Sequence, residues 1–331
     1  MMDPTPRTRR DALRLATCVG LGGLMPWAAR AQSTWPSKAV RFVVPFAPGG
    51  SSEIVARSTA AELTRLLGQS VYVDNKPGGA GNVAMAEVAR ADDQHTLVLG
   101  HIGTLAVNPY IFDKLPYDPN KDFRPISLLA KVPSLYLVHP DLPVKNLKEF
   151  VALAKSKPGR LNYGSAGNGS AGHLAMEYLK MASDTFMLHV PYRGTGPQLT
   201  DLIAGRLDAA SVGAPAVLQF VKTGKLRCIA TGTAQRIPQL PDVPTVAEQG
   251  FPGFEMTQWY GLMAPAGLPQ AAVDKLAAAT AKAMREKEAI DRLGADAALA
   301  VGSTPAEFAA FIAAEQKRWK PVIARAKIKP D

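Results

Sequence analysis

Short apolar runs alternate with amphipathic stretches between residues 39 and 231 of the chain. The length and apolar composition of the runs are typical of strands that are buried in a sheet. The stretches between them repeat apolar residues with the period of a helix. Strands that alternate with helices of about ten residues indicate βαβ units and largely parallel sheets. The pattern therefore predicts the α/β fold class.

The residues that start and stop secondary structure set the predicted boundaries. Asn146 precedes Glu149 by three positions, which is a capping pattern at the start of a helix. Gly68 and the pair Pro158-Gly159 mark helix ends. The predicted strands are residues 39–46, 71–74, 95–100, 161–164, 186–192, 209–212 and 226–231. The predicted helices between them are residues 53–67, 146–157, 172–182, 196–204 and 216–223.

The last quarter of the chain has a purely helical pattern. Residues 270–292 are rich in alanine and amphipathic, and they predict one long helix. Thr304 and Glu307 form a capping box with Pro305 at the first helical position, which predicts a second helix up to about Ala324. We expect both helices to pack over a sheet that the earlier elements form.

The first thirty residues are typical of an export signal. A basic stretch that includes Arg9 and Arg10 precedes an apolar run at residues 15–27. This run is too short to span a membrane, which takes about 20 apolar residues. Small residues at Ala29 and Ala31 predict cleavage after Ala31, so residues 1–31 would be removed. The arginine pair also resembles a twin-arginine signal. Both the Sec and the twin-arginine routes remain open, and both lead to the periplasm.

Composition limits the classes of partner. A chain of 331 residues exceeds the usual size of one core, so two domains of roughly 100–200 residues are expected. The net charge of +10 suits an anionic ligand, but the basic residues are dispersed, which argues against nucleic acid. Only Cys228 follows the cleavage point, so we expect no internal disulfide in the mature protein and a buried thiol.

A glycine-rich turn connects the first predicted strand to the first helix. It comprises residues 47–53 and contains Gly49, Gly50, Ser51 and Ser52. Unpaired backbone N–H groups and the helix dipole make such a junction an anion site, and the two serines add hydroxyl donors. The alternative is a simple turn in which Ser52 caps the helix.

A second loop of the same kind spans residues 163–173, again between a strand and a helix. Open α/β sheets bind ligands at the carboxyl ends of their parallel strands. If the two loops belong to different lobes, one small anion can be held between them.

Other chemistries find little support in the sequence. Gly167, Gly169 and Gly172 match a dinucleotide fingerprint, but no carboxylate follows about 20 positions later. Residues 209–213 lack the first glycine of a nucleophile elbow, and the five histidines have no metal-ligand spacing. We therefore predict no cofactor, no metal and no catalytic residue.

Five segments together resemble the receptors of tripartite tricarboxylate transporters, also called the Bug family. The resemblance runs in order across nearly all of the mature chain. The segments are PFAPGG at 45–50, VDNKPGGAGN at 73–82, NYGSAGNG at 162–169, HVPYRG at 189–194 and PDVPTVAEQG at 241–250.

The resemblance implies a type II periplasmic binding fold with two α/β lobes and a hinge of two crossing strands. Residues 32–133 and 254–331 would form lobe one, and residues 134–253 would form lobe two. In this family the two glycine loops hold a ligand carboxylate from opposite lobes. The ligand-binding residues that the resemblance implies are Ala47, Gly49, Gly50, Ser51, Ser52, Thr104, Ser165, Ala166, Gly167, Asn168 and Thr195.

The implied function is a monomeric receptor that captures a small carboxylate for a membrane transporter or a sensor protein. Dicarboxylates, tricarboxylates, acidic amino acids and aromatic acids all fit the loops. Many relatives have Asp where this chain has Glu53, which either caps the helix or reaches into the cleft. The alternative function is a periplasmic enzyme that acts on a small carboxylic acid in the same cleft.

Overall fold

The computed structural model describes residues 35–329. The predicted export signal and its cleavage site lie outside these residues. The strands are β1 Val40–Val44, β2 Val71–Asn75, β3 Thr96–His101, β4 Phe123–Val138, β5 Asn162–Ser165, β6 Leu188–Pro191, β7 Ala209–Gly213, β8 Arg227–Thr231, β9 Thr257–Pro265 and β10 Leu299–Ala300. The helices are α1 Ser51–Leu67, α2 Asn82–Ala89, α3 Asn108–Ile111, α4 Leu147–Ser156, α5 Ala171–Ser183, α6 Thr195–Ile203, α7 Ala214–Lys222, α8 Gln270–Arg285, α9 Lys287–Ala295 and α10 Pro305–Ala326.

The strands form two parallel groups that antiparallel strands join. β1 pairs with β2 and β3, and β5 pairs with β6 and β7, all in parallel. β9 lies antiparallel between β3 and β4, and β4 lies antiparallel to β7 and β8. The strand order is β2-β1-β3-β9-β4-β7-β5-β6. The α/β class is confirmed, and the parallel part of the sheet comes from the predicted alternation.

Strand β4 belongs to both groups. Its residues 123–133 pair with β9, and from Ser134 onward its partners are β7 and β8. The change of partner falls between Pro133 and Ser134. None of the predicted strands covers β4 or β9. Pro125 lies within β4, and the pairing of β4 with β9 shifts register after Pro125 and again after Leu128.

Two apolar cores stabilise the sheet. The larger contains side chains of β1, β3, α5 and α10, including Val43, Val98 and Phe308. The smaller lies among β4, β7, α6 and α7 and includes Val212. In the larger core, the indoles of Trp259 and Trp319 both donate to one carboxylate oxygen, Glu315 Oε2, at 2.8 and 3.0 Å.

The prediction of one helix over residues 270–292 is wrong. Glu286 is extended, with φ −70° and ψ 143°, and it separates α8 from α9. Its carboxylate pairs with Arg65 of α1, and its carbonyl accepts the first hydrogen bonds of α9. The break lets α9 turn so that Ala289 and Leu293 are buried. The predicted second helix is confirmed, because the Thr304–Glu307 capping box is present at the start of α10.

Candidate functional site

The first glycine loop meets α1 at Gly50. Gly50 is the N-cap residue of the helix, so the alternative in which Ser52 caps it is wrong. The backbone N–H of Gly49 donates to Glu53 Oε2 at 2.8 Å, and Arg57 pairs with the other oxygen of Glu53. Glu53 therefore turns back on its own loop and caps it. Among the described residues, no partner is present for the N–H groups of Gly50, Ser51 and Ser52.

The second glycine loop is held by its own side chains. The hydroxyl of Ser165 accepts from Gly167 N–H at 3.1 Å and lies 2.6 Å from His189 Nε2. Ser170 is the N-cap of α5, and Gly169 N–H donates to His173 Nδ1 at 3.1 Å. These bonds shape the loop around the N-terminus of α5.

The two loops face one small cavity. Its volume is about 30 Å³, which is enough for at least one water molecule. Four of the predicted binding residues line it: Ser51, Ser52, Ala166 and Thr195. The rest of the wall comes mainly from residues that the sequence did not single out: Phe46, His101, Gln198, Ser211, Gln258 and Tyr260. Among the described residues, no side chain with a formal charge lines this cavity.

A larger cavity of about 360 Å³ adjoins the first through Phe46 and Ala166. Gly167 of the second loop, Tyr192 and Arg193 form one side of it, and residues 77–81 form the other. Residues 78–81 all have positive φ, between 53° and 138°. Such a run of backbone can turn its N–H groups toward one point. Arg193 is exposed and supplies the positive charge in the lining of this cavity.

Other predicted residues lie behind the cavity walls. Ala47 N–H donates to Arg193 carbonyl oxygen at 3.3 Å, so the first loop contacts the segment before α6. A Cβ at Gly50 would lie 3.0 Å from Thr195 Oγ1, and Gly49 is similarly close to Gly196. The structure therefore brings these residues against the start of α6 and the segment before it. Ala47, Gly49, Gly50, Thr104, Ser165 and Asn168 line neither cavity.

The imidazole of His101 is fixed by the turn that follows β3. Thr104 N–H donates to His101 Nδ1 at 3.0 Å, and Thr104 Oγ1 lies 3.0 Å from the same nitrogen. Nδ1 therefore carries the lone pair, and the hydrogen of the neutral ring is on Nε2. The ring also makes an edge contact with Phe46 at 4.6 Å between centroids. Thr104 acts in this site by holding His101.

Burial keeps two histidines of the site neutral. Burial lowers the pKa of His101 to about 3. Burial, and then the charge of Lys180, lowers the pKa of His173 to about 4. Both values lie below the usual pKa of histidine, so the folded protein binds fewer protons than the unfolded chain in weak acid.

We expect the free energy of unfolding to fall as the pH drops from about 6.5 toward about 4, because the unfolded state then binds more protons. Urea unfolding at several pH values measures this decrease. His173→Asn keeps an acceptor for Gly169 N–H and removes one titrating ring. The free energy of unfolding of this variant should therefore fall less steeply as the pH drops. Identical pH dependence in the two proteins would contradict this assignment.

The fold and the cavity together define a periplasmic binding protein. The periplasmic binding protein BugD is 31% identical to the chain and superposes with a TM-score of 0.86, over 90% of this chain and 100% of BugD. The profile of the tripartite tricarboxylate transporter family receptor matches residues 55–328, and the chain belongs to this family. The resemblance found in the sequence is confirmed.

Two solved structures of relatives contain a small acid. MatC from Rhodopseudomonas palustris with bound malate is 36% identical and has a TM-score of 0.84, over 87% of this chain and 100% of MatC. The R. palustris protein Rpa4515 with adipate is 35% identical and has a TM-score of 0.87, over 90% of this chain and 100% of that protein.

The part of the chain from residue 35 to residue 329 contains no helix long and apolar enough to span a membrane. Within the same residues, no three His, Cys, Asp or Glu side chains lie close enough to hold a metal ion.

Proposed function

We propose that this chain is a periplasmic receptor that binds a small carboxylate between two lobes and releases it unchanged. The observation that carries the proposal is the polar cavity that both glycine loops face. The malate and adipate bound by MatC and Rpa4515 support a carboxylate as the ligand. The change of partner of β4 at Pro133 supports lobes of residues 32–133 plus 254–331 and residues 134–253.

The ligand carboxylate would bind to neutral donors. The start of α1 offers the backbone N–H groups of Ser51 and Ser52, which line the small cavity, and the positive end of the helix dipole. Ser52 and Thr195 add hydroxyls from the two sides of the cavity. The body of the acid would extend into the larger cavity, where Arg193 and the backbone of residues 78–81 favour a second anionic or polar group.

Among residues 35–329, the Ser165–His189 pair is the arrangement that most favours the enzyme alternative. Its atoms are 2.6 Å apart, as in a nucleophile and its base. However, Ser165 is fully buried, its oxygen accepts from Gly167 N–H, and it lines neither cavity. Burial also raises the pKa of the Cys228 thiol to about 12, which leaves it unreactive. These observations favour structural roles for the side chains of Ser165 and Cys228.

The receptor would be exported by the signal in residues 1–31 and act as a monomer. It would deliver its ligand to the membrane subunits of a tripartite transporter or present it to a sensor protein. Membership of the receptor family supports the membrane subunits of a transporter as the partner.

We expect the protein to become more compact when an acid saturates it, because contacts with both loops exist only when the lobes are closed. Calorimetry with malate and adipate first identifies an acid that binds. Small-angle scattering then compares the radius of gyration with and without that acid. Mass spectrometry of the released ligand should show the same mass as the added acid. An unchanged radius would contradict closure, and a new product would favour the enzyme.

A further inference from the structure

His101 lines the small cavity, and its Nε2 is a buried donor without a partner among the described residues. Thr104 holds the opposite edge of the ring through Nδ1, which places the ring hydrogen on Nε2. His101 is 2% exposed, and its Nε2 has no hydrogen-bond partner among residues 35–329. Buried polar groups in folded proteins are nearly always paired, so a ligand atom that accepts this hydrogen would complete the site.

This edge of His101 can only donate. Because burial keeps its pKa near 3, the imidazole is neutral at the pH of the periplasm and keeps its hydrogen on Nε2. An ammonium group has three donors and no lone pair, so it can make no hydrogen bond to an N–H group. The group of the ligand that lies against His101 must therefore be an acceptor, such as a carboxylate, carbonyl or hydroxyl oxygen.

The cavities also offer no counterion to an amine. Among the described residues, no Asp or Glu lines either cavity, and Arg193 adds a positive charge to the larger one. Glu53 follows the first loop directly, but its two oxygens are bonded to Gly49 N–H and Arg57. Asn168 has an unpaired amide oxygen but lines neither cavity. A cation buried here would have no anion beside it, which is costly.

We infer that the receptor selects carboxylic acids without an amine over amino acids, and that His101 reads this difference by donating from Nε2 to an oxygen of the ligand. This inference rests on the proposed function and narrows it, because acidic amino acids were among the ligands that the sequence left open. The class that fits is dicarboxylic, hydroxy and keto acids.

Matched pairs of probes test the selectivity. Each pair differs in an amine: malate and aspartate, adipate and 2-aminoadipate, and 4-(hydroxymethyl)benzoate and 4-(aminomethyl)benzoate. In every pair that binds, calorimetry should show the acid without an amine binding about tenfold tighter or more. Equal or tighter binding of the amine-bearing member overturns the inference and leaves the proposed function intact. Binding of no member of any pair overturns both.

Two substitutions separate the donor of His101 from its structural role. His101→Asn keeps an oxygen near the place of Nδ1 for Thr104 N–H but has no donor at the place of Nε2. His101→Gln keeps a donor near Nε2 but loses the acceptor for Thr104. We expect His101→Asn to bind the preferred acid about tenfold more weakly. The ratio between its affinities for the acid and for the amine-bearing member of the pair should also be smaller. His101→Gln should bind the acid more tightly than His101→Asn, although it unfolds at a lower temperature.

A purely structural role predicts the opposite order, with affinity following stability and His101→Gln binding more weakly than His101→Asn. That order would overturn the assignment of His101. His139→Asn is the matched control, because His139 bonds to Asp141 N–H after β4 and lines neither cavity. Its affinity for the acid should equal that of the unsubstituted protein.

Discussion

Replacing Gly196 by alanine should greatly weaken ligand binding while the protein still folds. Gly196 lies in the first turn of α6, where alanine is readily accommodated by the helix. A Cβ at this position would lie 2.4 Å from the carbonyl oxygen of Pro48 in the first loop. The clash therefore arises only where the first loop meets the start of α6. A forced contact of this kind costs about 1–3 kcal/mol, or about 5- to 150-fold in affinity.

Calorimetry with an acid that the protein binds measures the loss, and thermal unfolding checks the fold. Gly294→Ala in α9 is the matched control, because a Cβ there would meet no atom within 4 Å. The control should bind as the unsubstituted protein does. Full affinity of Gly196→Ala would mean that the first loop and the start of α6 do not need to approach as closely as they do here.

Replacing Glu315 by alanine should strongly destabilise the larger core. Trp259 and Trp319 both donate their indole N–H groups to this carboxylate, and all three residues are buried. The substitution leaves two buried donors without a partner, each at a cost of about 1–3 kcal/mol. We therefore expect the free energy of unfolding to fall by about 2–6 kcal/mol.

Urea unfolding followed by tryptophan fluorescence measures this change. Lys317→Ala lies on the same helix, is exposed, and should change the stability little. Glu315→Gln keeps an acceptor for the indoles. Its free energy of unfolding should lie between those of Glu315→Ala and Lys317→Ala. A small effect of Glu315→Ala would mean that water replaces the carboxylate at the two indoles.

Local patterns predicted most of the elements, because their causes lie within a few residues. Asn146 and Thr304 cap their helices as their sequence patterns indicate, and Gly68 ends α1 in a left-handed conformation. The failures have distant causes. Glu286 breaks the predicted long helix where its carboxylate pairs with Arg65, a residue 221 positions earlier. Nothing near Glu286 in the sequence signals that contact.

The residues of the candidate site likewise divide into those that local sequence patterns predicted and those that they did not. Strand-to-helix glycine loops predicted where an anion would bind, and Ser52, Ala166 and Thr195 line the cavity between them. His101 could not be found from the sequence, since a single histidine at the end of an apolar strand has no distinguishing pattern. Only the folded turn shows that Thr104 fixes its tautomer. The assignment of the remaining binding residues stays a prediction.

The double membership of β4 has a mechanical consequence. A loop between the two strand groups would allow many relative orientations, and a ligand would have to restrict all of them at a cost in entropy. A strand that is hydrogen-bonded on both sides of Pro133 permits few orientations before any ligand arrives. We therefore expect this strand to limit the relative motion of the two strand groups. In the proposed two-lobed receptor, closure would then cost little entropy, so we expect a small acid with few polar atoms to be enough to hold the closed form.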